Sequence, residues 1–285
     1  MKARQALITG GTSGVGKQLV FAAAQRGYDV TFVGRHRGEE LQRQLRITFP
    51  TVSTSFACVD LESPTDVKQF AEGYVLNSQR VDLLANVAGA LYSSPPEGAV
   101  DRAFVVSCLS TLQLTQTLLP KLKEAPGARI INVGASPRVV LHKSMDLREL
   151  ESTGQLTTAD GRKRSYSPFT ASALAVHAKV VLTQCLAEQL KESGVTVNAF
   201  HPGAIRSGLY RGLTGPSRWA FLAAQPFLRR ESATANRAAF AAQEPPVSGT
   251  LLVGEQALPL KFQREYVARM WDVTQTLLSN ALAAR

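Results

Sequence analysis

The sequence is poor in cysteine and shows no metal-binding spacing. Its three cysteines, Cys58, Cys108 and Cys185, are an odd and scattered set, which argues against a disulfide framework. No cluster of histidine, cysteine and aspartate has the spacing of metal ligands, and nothing resembles the nucleophile elbow of a hydrolase. We therefore interpret all three cysteines as small buried hydrophobic residues and predict no bound metal.

The sequence also lacks a long apolar run and a basic tail. Its apolar runs fall short of the roughly 18–20 residues that span a membrane, and the start, MKARQALITGG, is typical of a first strand rather than a signal peptide. We therefore predict a cytoplasmic protein without an integral membrane segment. The net charge of +10 is spread along the chain without a nucleic-acid-binding motif, so we predict a phosphorylated ligand and no nucleic-acid partner.

The pattern of apolar segments predicts an α/β fold. Hydrophobic residues make up 45% of the 285 residues, which excludes a largely disordered chain. Apolar strand segments and helical segments alternate strictly as far as HPG at 201–203, and this alternation is typical of a parallel sheet with helices on both faces. We predict a single domain over residues 1–285 with a doubly wound parallel sheet, the Rossmann fold.

The segment 209–235 departs from this rhythm by mixing aromatic residues with arginines, as in Arg218 and Trp219. A helix packed on the core is one interpretation of the segment. A mobile substrate lid or a contact with a membrane surface is the other, and of these two the lid is favoured. We predict that this segment forms a short C-terminal lid over a hydrophobic small-molecule substrate.

A glycine-rich segment, TGGTSGVG, joins the first strand to the first helix. Glycine is needed where the backbone turns sharply and approaches a pyrophosphate, and the helix aims its first amides at that anion. The second strand ends in Arg35 instead of the acidic residue typical of NAD sites, and a guanidinium suits a 2′-phosphate. We therefore predict NADP(H), with Lys17 and Arg37 as further cations near it. The predicted contacts are Gly10, Thr12, Ser13, Gly14, Val15, Gly16 and Arg35.

The chain resembles the short-chain dehydrogenase/reductase family over nearly its whole length. TGGTSGVG corresponds to the family's TGxxxGxG, VDL at 59–61 to its adenine-binding segment, NVAG at 86–89 to NNAG, and HPGAIRSGL at 201–209 to the segment beside the nicotinamide. The C-terminal sequence is similar to the retinol-dehydrogenase and WW-domain-oxidoreductase branch. The resemblance implies further cofactor contacts from Asp60, Leu61, Asn86, Ala88, Gly89, Pro202 and Gly203.

The resemblance also implies that the usual proton relay has been replaced. The family uses asparagine, serine, tyrosine and lysine, and the aligned positions here are Ser107, Ala135, Ser172 and Val176. Tyr166 is not a substitute, because Thr170 stands where its lysine would fall. The helix that carries the tyrosine and the lysine in the family is therefore kept without either residue.

Some side chains could supply replacement chemistry. Lys179 follows positions 172 and 176 on one face of the helix, and we favour an ordinary, partly exposed lysine over an amine at the edge of the site. His177 and His201 are interpreted as packing or structural residues. His142, followed by Lys143, lies in a loop that could overhang the pocket. The candidate catalytic residues are Ser136, Ser172, Lys179 and His142.

Three functions fit these features. The favoured one is atypical NADPH-dependent reduction of an activated C=O, C=N or C=C bond in a hydrophobic specialised metabolite. The second is redox-neutral catalysis, as in a cyclase, isomerase or dehydratase, with NADP(H) as a structural cofactor. The third is a non-catalytic NADP(H)-binding regulator or partner subunit. A homo-oligomer is compatible with all three.

Overall fold

The computed structural model describes residues 3–78, 80–92, 100–141, 145–155, 167–203, 213–224, 226, 233–240 and 247–283. Within these ranges, eight strands form one sheet in the order β3-β2-β1-β4-β5-β6-β7-β8. Neighbouring strands are parallel except β7 and β8, which are antiparallel. The strands are β1 (Arg4–Thr9), β2 (Tyr28–Gly34), β3 (Thr54–Cys58), β4 (Leu83–Asn86), β5 (Arg129–Val133), β6 (Thr196–His201), β7 (Thr250–Val253) and β8 (Gln256–Pro259).

Helices cover both faces of the sheet. Helices α1, α2 and α10 pack on one face, and α3, α5, α8 and α11 pack on the other. A π-helical turn, Val105–Leu109, separates α4 from α5. The described helices are α1 (Gly14–Gln25), α2 (Gly38–Thr48), α3 (Pro64–Asn77), α4 (Arg102–Phe104), α5 (Ser110–Lys123), α6 (Pro137–Val140), α7 (Leu147–Thr153), α8 (Pro168–Gln189), α9 (Gly215–Ala224), α10 (Ala233–Phe240) and α11 (Arg264–Ala283).

The first strand shows why the central strands are apolar where they cross the core. Ala6 and Ile8 belong to the hydrophobic cluster under α1, whereas Leu7 between them belongs to the cluster under α3 and α5. Successive side chains of a strand point to opposite faces, so a strand covered on both sides has no polar face. The predicted doubly wound α/β fold is confirmed.

Two strands at the C-terminal edge were not predicted. Strands β7 and β8 have only four residues each, and most side chains of β8 are at least partly exposed. They form a hairpin with Gly254 at a positive φ of 56°. Four-residue strands give a short periodic signal, and this hairpin follows the part of the chain where strands and helices no longer alternate.

The prediction that all three cysteines are buried is wrong for Cys58. Cys108 and Cys185 are buried, but Cys58 is exposed. It is the last residue of β3, which lies at the edge of the sheet and, among the described strands, pairs with β2 alone. The other side of this strand has no neighbouring strand in the described part of the chain. Within the described ranges, no group of three or more histidine, cysteine, aspartate or glutamate residues could hold a metal ion.

The expectation that no segment is long and apolar enough to cross a membrane is also wrong. Two helical stretches, Arg102–Lys123 and Pro168–Gln189, meet both requirements. Isolated serine, threonine and glutamine residues interrupt their apolar runs in the sequence but hardly lower the mean hydropathy over a whole helix. Of their most apolar windows, 78% and 72% are buried inside the domain, as expected for core helices of this fold.

Candidate active site

The turn after β1 forms a cradle of backbone atoms. Gly10 and Gly14 adopt positive φ values of 67° and 53°, which side chains rarely allow. A methyl group at Gly16 would overlap the carbonyl oxygen of Gly10. Helix α1 begins here, and its cap residue Ser13 makes no side-chain capping bond, so the first amides of the helix face the turn. These glycines and amides fit a pyrophosphate.

The turn after β4 is held against this cradle. The side-chain oxygen of Thr9 accepts hydrogen bonds from the backbone N–H groups of Val87 (3.0 Å) and Ala88 (3.2 Å). A methyl group on Gly10 would lie 3.0 Å from the Cα atom of Ala88. The two turns are therefore in contact, and a side chain at position 10 would push them apart.

The other predicted cofactor residues lie at or just beyond the carboxyl ends of the parallel strands. Ligands of doubly wound sheets bind at this edge. The structure therefore places the predicted set around one edge of the sheet. The residues are Thr12 and Val15 after β1, Asp60 and Leu61 after β3, Asn86 and Gly89 at β4, and Pro202 and Gly203 after β6.

A buried polar network connects β4, β5 and α8 beneath this edge. The amide of Asn86 donates to the side-chain oxygen of Asn132 (2.9 Å), and Asn132 donates to the hydroxyl of Thr183 (2.9 Å). That hydroxyl donates to the backbone carbonyl of Lys179 (2.8 Å). These bonds fix the relative position of the three elements, and the side-chain oxygen of Asn86 is left without a partner among the described residues.

Lys179 is not the partly exposed lysine that was favoured from the sequence. It is 1% exposed, and its ammonium donates to the carbonyl oxygen of Ala88 at 3.2 Å. The face of α8 that carries Lys179 packs against the central strands. The side chain extends through the core to the turn after β4. Burial lowers the pKa of Lys179 to about 8, because the charged form loses its hydration.

The four positions that the sequence aligns with the family's proton relay hold apolar or weakly polar side chains. Ala135 and Val176 pack against the same hydrophobic cluster, which includes Val140. Ser107 is buried in the π-helical turn, and Ser172 is half-buried on α8. Ala135 follows the end of β5, and Ser172 and Val176 lie one turn apart on α8.

The other predicted catalytic residues are placed only in part. Ser136 is half-buried at the cap of α6. His142, Lys143 and Tyr166 lie outside the described residues, as does much of the segment 209–235.

The remaining histidines near the site have structural positions. His177 is buried, with its ring nitrogens 2.7 Å from the carbonyl oxygen of Val140 and 2.9 Å from the hydroxyl of Tyr266, which supports a packing role. His201, at the end of β6, is half-buried, and burial lowers its pKa. The Nδ1 atom of His201 is buried without a partner among the described residues.

Arg35 is part of a charged cluster that the sequence did not reveal. Its guanidinium lies 2.6 Å from Glu62 and 4.0 Å from Asp60. The other carboxylate oxygen of Glu62 accepts from Arg102 (2.6 Å), and the Tyr92 hydroxyl also donates to Glu62 (2.8 Å). Tyr92 and Arg102 are 30 and 40 residues from Glu62, so no local pattern could link them. Of the three, Glu62 alone could be linked to the site from the sequence, because it directly follows the VDL segment at 59–61.

The two further cations predicted near the cofactor are exposed. The ammonium of Lys17 lies 5.8 Å from the ring centre of Phe21. Arg37 caps α2 with a left-handed backbone conformation, φ 63°. Of the three cations predicted for this region, Arg35 alone forms part of the cluster around Glu62.

Comparison with protein families and curated proteins gives consistent matches. The profile described as short chain dehydrogenase matches residues 4–139. Retinol dehydrogenase 13 of Mus musculus is 30% identical over 97% of this chain and 84% of its own length. Dehydrogenase/reductase SDR family member 13 of Homo sapiens is 27% identical over 97% of this chain and 74% of its own length.

Solved structures share the fold. The RhlG/NADP active-site complex of Pseudomonas aeruginosa has a TM-score of 0.63 at 20% identity, covering 89% of this chain and 95% of that one. A short chain dehydrogenase from Shigella flexneri complexed with NADP has a TM-score of 0.65 at 18% identity, covering 90% and 98%. A blue fluorescent protein from a metagenomic library, in complex with NADPH, has a TM-score of 0.62 at 22% identity, covering 88% and 96%.

The predicted cytoplasmic location is wrong. It depended on the lack of a segment long and apolar enough to enter a membrane, and two helical stretches meet that requirement. The similar curated proteins are moreover named for retinol, a lipid-soluble alcohol. The absence of an integral membrane segment stays a prediction, because both stretches are mostly buried in the domain.

Proposed function

The chain belongs to the short-chain dehydrogenase family, in its retinol-dehydrogenase-like branch, and on that premise we propose that it is an NADP(H)-dependent oxidoreductase without the usual proton relay. Bound NADPH would supply a hydride. The glycine cradle and the first amides of α1 would hold the pyrophosphate, and Arg35 would face the 2′-phosphate. NADP or NADPH in the similar structures supports this choice of cofactor.

One observation carries the proposal: the glycine cradle is present, whereas Ala135 and Val176, packed in one hydrophobic cluster, stand at the positions that the sequence aligns with the family's serine and lysine. Loss of general-acid help typically costs about 10²–10⁴ in rate. A substrate that is already electrophilic, such as an iminium ion or a conjugated enone, tolerates that loss. We therefore propose reduction of an activated C=O, C=N or C=C bond in a hydrophobic specialised metabolite.

The remaining polar groups have proposed roles in positioning. Ser136 and Ser172 are half-buried and would orient the substrate through hydrogen bonds. The ammonium of Lys179 holds the carbonyl of Ala88 and so fixes the turn after β4. His142 is proposed to act from its loop. These roles require no side chain to exchange a proton with an unactivated carbonyl.

The segment 209–235 is proposed to cover the substrate within a single domain of residues 1–285. Trp219 on α9 is 72% exposed, so this helix is not held in the core as the main helices are. An exposed tryptophan suits contact with a hydrophobic ligand.

Loss of NADPH absorbance with a panel of substrates tests the reaction. We expect NADPH to be consumed with a cyclic iminium ion or a conjugated enone, and at least about 100-fold more slowly with an unactivated ketone. Conversion of a substrate without loss of NADPH would favour the redox-neutral alternative. Tight cofactor binding without turnover of any activated substrate would favour a non-catalytic NADP(H)-binding protein.

Arg35→Ala tests the choice between the two nicotinamide cofactors. We expect the variant to bind NADPH about tenfold or more weakly, because a charge-assisted hydrogen bond to the 2′-phosphate is lost, and to bind NADH as before. Calorimetric titration measures both affinities. Arg43→Ala is the matched control, since Arg43 is an exposed arginine on the neighbouring α2. An equal change for NADPH and NADH would contradict the assignment of Arg35.

A further inference from the structure

Glu62 occupies the position from which it can compete with a phosphate for Arg35. One of its carboxylate oxygens lies 2.6 Å from Arg35, and the other lies 2.6 Å from Arg102. The side chain of Glu62 is only 16% exposed, whereas that of Arg35 is 49% exposed. The arginine that would meet a 2′-phosphate at the surface is therefore already paired with a well-shielded carboxylate.

The charges of this cluster balance. Arg35 and Arg102 contribute two positive charges, and Glu62 and Asp60 contribute two negative charges. Burial alone would raise the pKa of Glu62, but hydrogen bonds from Tyr92 and Arg102 and the charges of both arginines lower it. Glu62 is thus ionised at neutral pH. An incoming 2′-phosphate meets a neutral cluster, and it must share Arg35 with a carboxylate of like charge.

The second arginine is held more firmly than the first. The guanidinium of Arg102 donates to Glu62 through Nε (2.7 Å) as well as through its terminal nitrogen, and it stacks 4.1 Å from the ring centre of Tyr92. Arg35 has a single short contact with Glu62. If Glu62 gives up one partner, Arg35 is the one released, and it is the partner at the end of β2.

We propose that Glu62 is an internal competitor for the 2′-phosphate and that it limits how strongly the chain distinguishes NADP(H) from NAD(H). The inference rests on the proposed function, because it requires the nucleotide to lie at this edge. Arg35 exchanges between the carboxylate of Glu62 and the 2′-phosphate, while Arg102 and Tyr92 keep Glu62 in place. Removal of the competing charge leaves Arg35 free for the phosphate.

Glu62→Gln tests this competition directly. The amide keeps the shape of the side chain and removes its charge. We expect the variant to bind NADPH about tenfold more tightly than the unaltered chain, and NADH within about twofold, in calorimetric titrations at one ionic strength. The double variant Arg35→Ala/Glu62→Gln should lose the gain, because the gain acts through Arg35.

A matched control separates the local effect from net charge. Glu72→Gln removes one negative charge from an exposed glutamate on α3, away from the cluster, and should leave both affinities unchanged. Equal tightening of NADPH and NADH in Glu62→Gln, or unchanged binding of NADPH, would overturn the inference. Weakened binding of both nucleotides together with a lower melting temperature would instead show a purely structural clamp, and would overturn it too.

The outcomes also separate this inference from the proposed function. Absence of binding of NADPH and NADH to the unaltered chain would remove the proposed function and the inference together. Tight NADPH binding that Glu62→Gln does not change would overturn the inference alone. If Glu62→Gln fails to fold, Glu62→Asp draws the carboxylate back by one methylene and should give a smaller gain in the same direction; no gain would overturn the inference.

Discussion

Gly16→Ala is expected to weaken the binding of NADPH and NADH alike by about 100-fold or more. The added methyl group would overlap the backbone carbonyl of Gly10, so the turn after β1 must open. A backbone cradle that opens no longer presents its amides to a pyrophosphate. Because the pyrophosphate is common to both cofactors, the loss should not depend on the 2′-phosphate. Calorimetry with both cofactors measures it.

Gly73→Ala is the matched control for this prediction. Gly73 is a glycine within α3 whose added methyl group would meet no other atom within 4 Å. Alanine is favoured over glycine in a helix by about 1 kcal/mol, so this variant should unfold at slightly higher urea and bind both cofactors normally. Gly16→Ala should be less stable despite the same helical preference. Normal cofactor binding by Gly16→Ala would contradict the cradle.

Relative to the unaltered chain, Lys179→Met is expected to be about 2–3 kcal/mol more favourable to folding at pH 7 than at pH 10. The hydrogen bond to the carbonyl of Ala88 is lost from the variant at both pH values, so the comparison between them isolates the effect of the charge. The pKa of Lys179 is about 8 in the folded protein, against about 10.4 in an unfolded chain. Below pH 8 both states hold the proton, and the folded state carries the full cost of burying the charge. Methionine has similar length and no charge, so it removes that cost.

The gain should fade as the pH rises. Between about pH 8 and 10 the unfolded chain keeps a proton that the folded protein has lost, so the unaltered protein gains stability with pH and the variant does not. Urea unfolding of both proteins at pH 7 and pH 10 measures this difference. Lys68→Met, at an exposed lysine of α3, is the control. A difference that does not change with pH would show that folding does not lower the pKa of Lys179.

The fold could be predicted from the sequence because its signal is repetitive. Strands such as β1 are apolar where they cross the core, as at Ala6, Leu7 and Ile8, since both faces of the sheet are covered, and helical segments follow them in turn. The hairpin of β7 and β8 escaped this reasoning because each strand has only four residues and β8, at the edge of the sheet, buries none of its side chains fully. The exposure of Cys58 escaped it because the order of strands in the sheet, which leaves β3 at an edge, is not written in a local pattern.

The candidate site could be predicted where it depends on local backbone shape. The glycines after β1 must be near one another in sequence, because one turn contains them all. The depth of Lys179 could not be predicted, because helical spacing gives the face of a residue but not what that face meets. The cluster around Glu62 joins the ends of β2 and β3 to residues 92 and 102, and only the folded chain brings these together.

Titration of the purified protein with NADPH, NADP⁺, NADH and NAD⁺ by calorimetry tests the central claim most directly. The account predicts that all four occupy one site and that the 2′-phosphorylated forms bind at least about tenfold more tightly, through Arg35. Tighter binding of NADH and NAD⁺ would contradict the role of Arg35. Absence of binding of any of the four would contradict the cofactor site itself and leave the Rossmann fold with a purpose that needs no nucleotide.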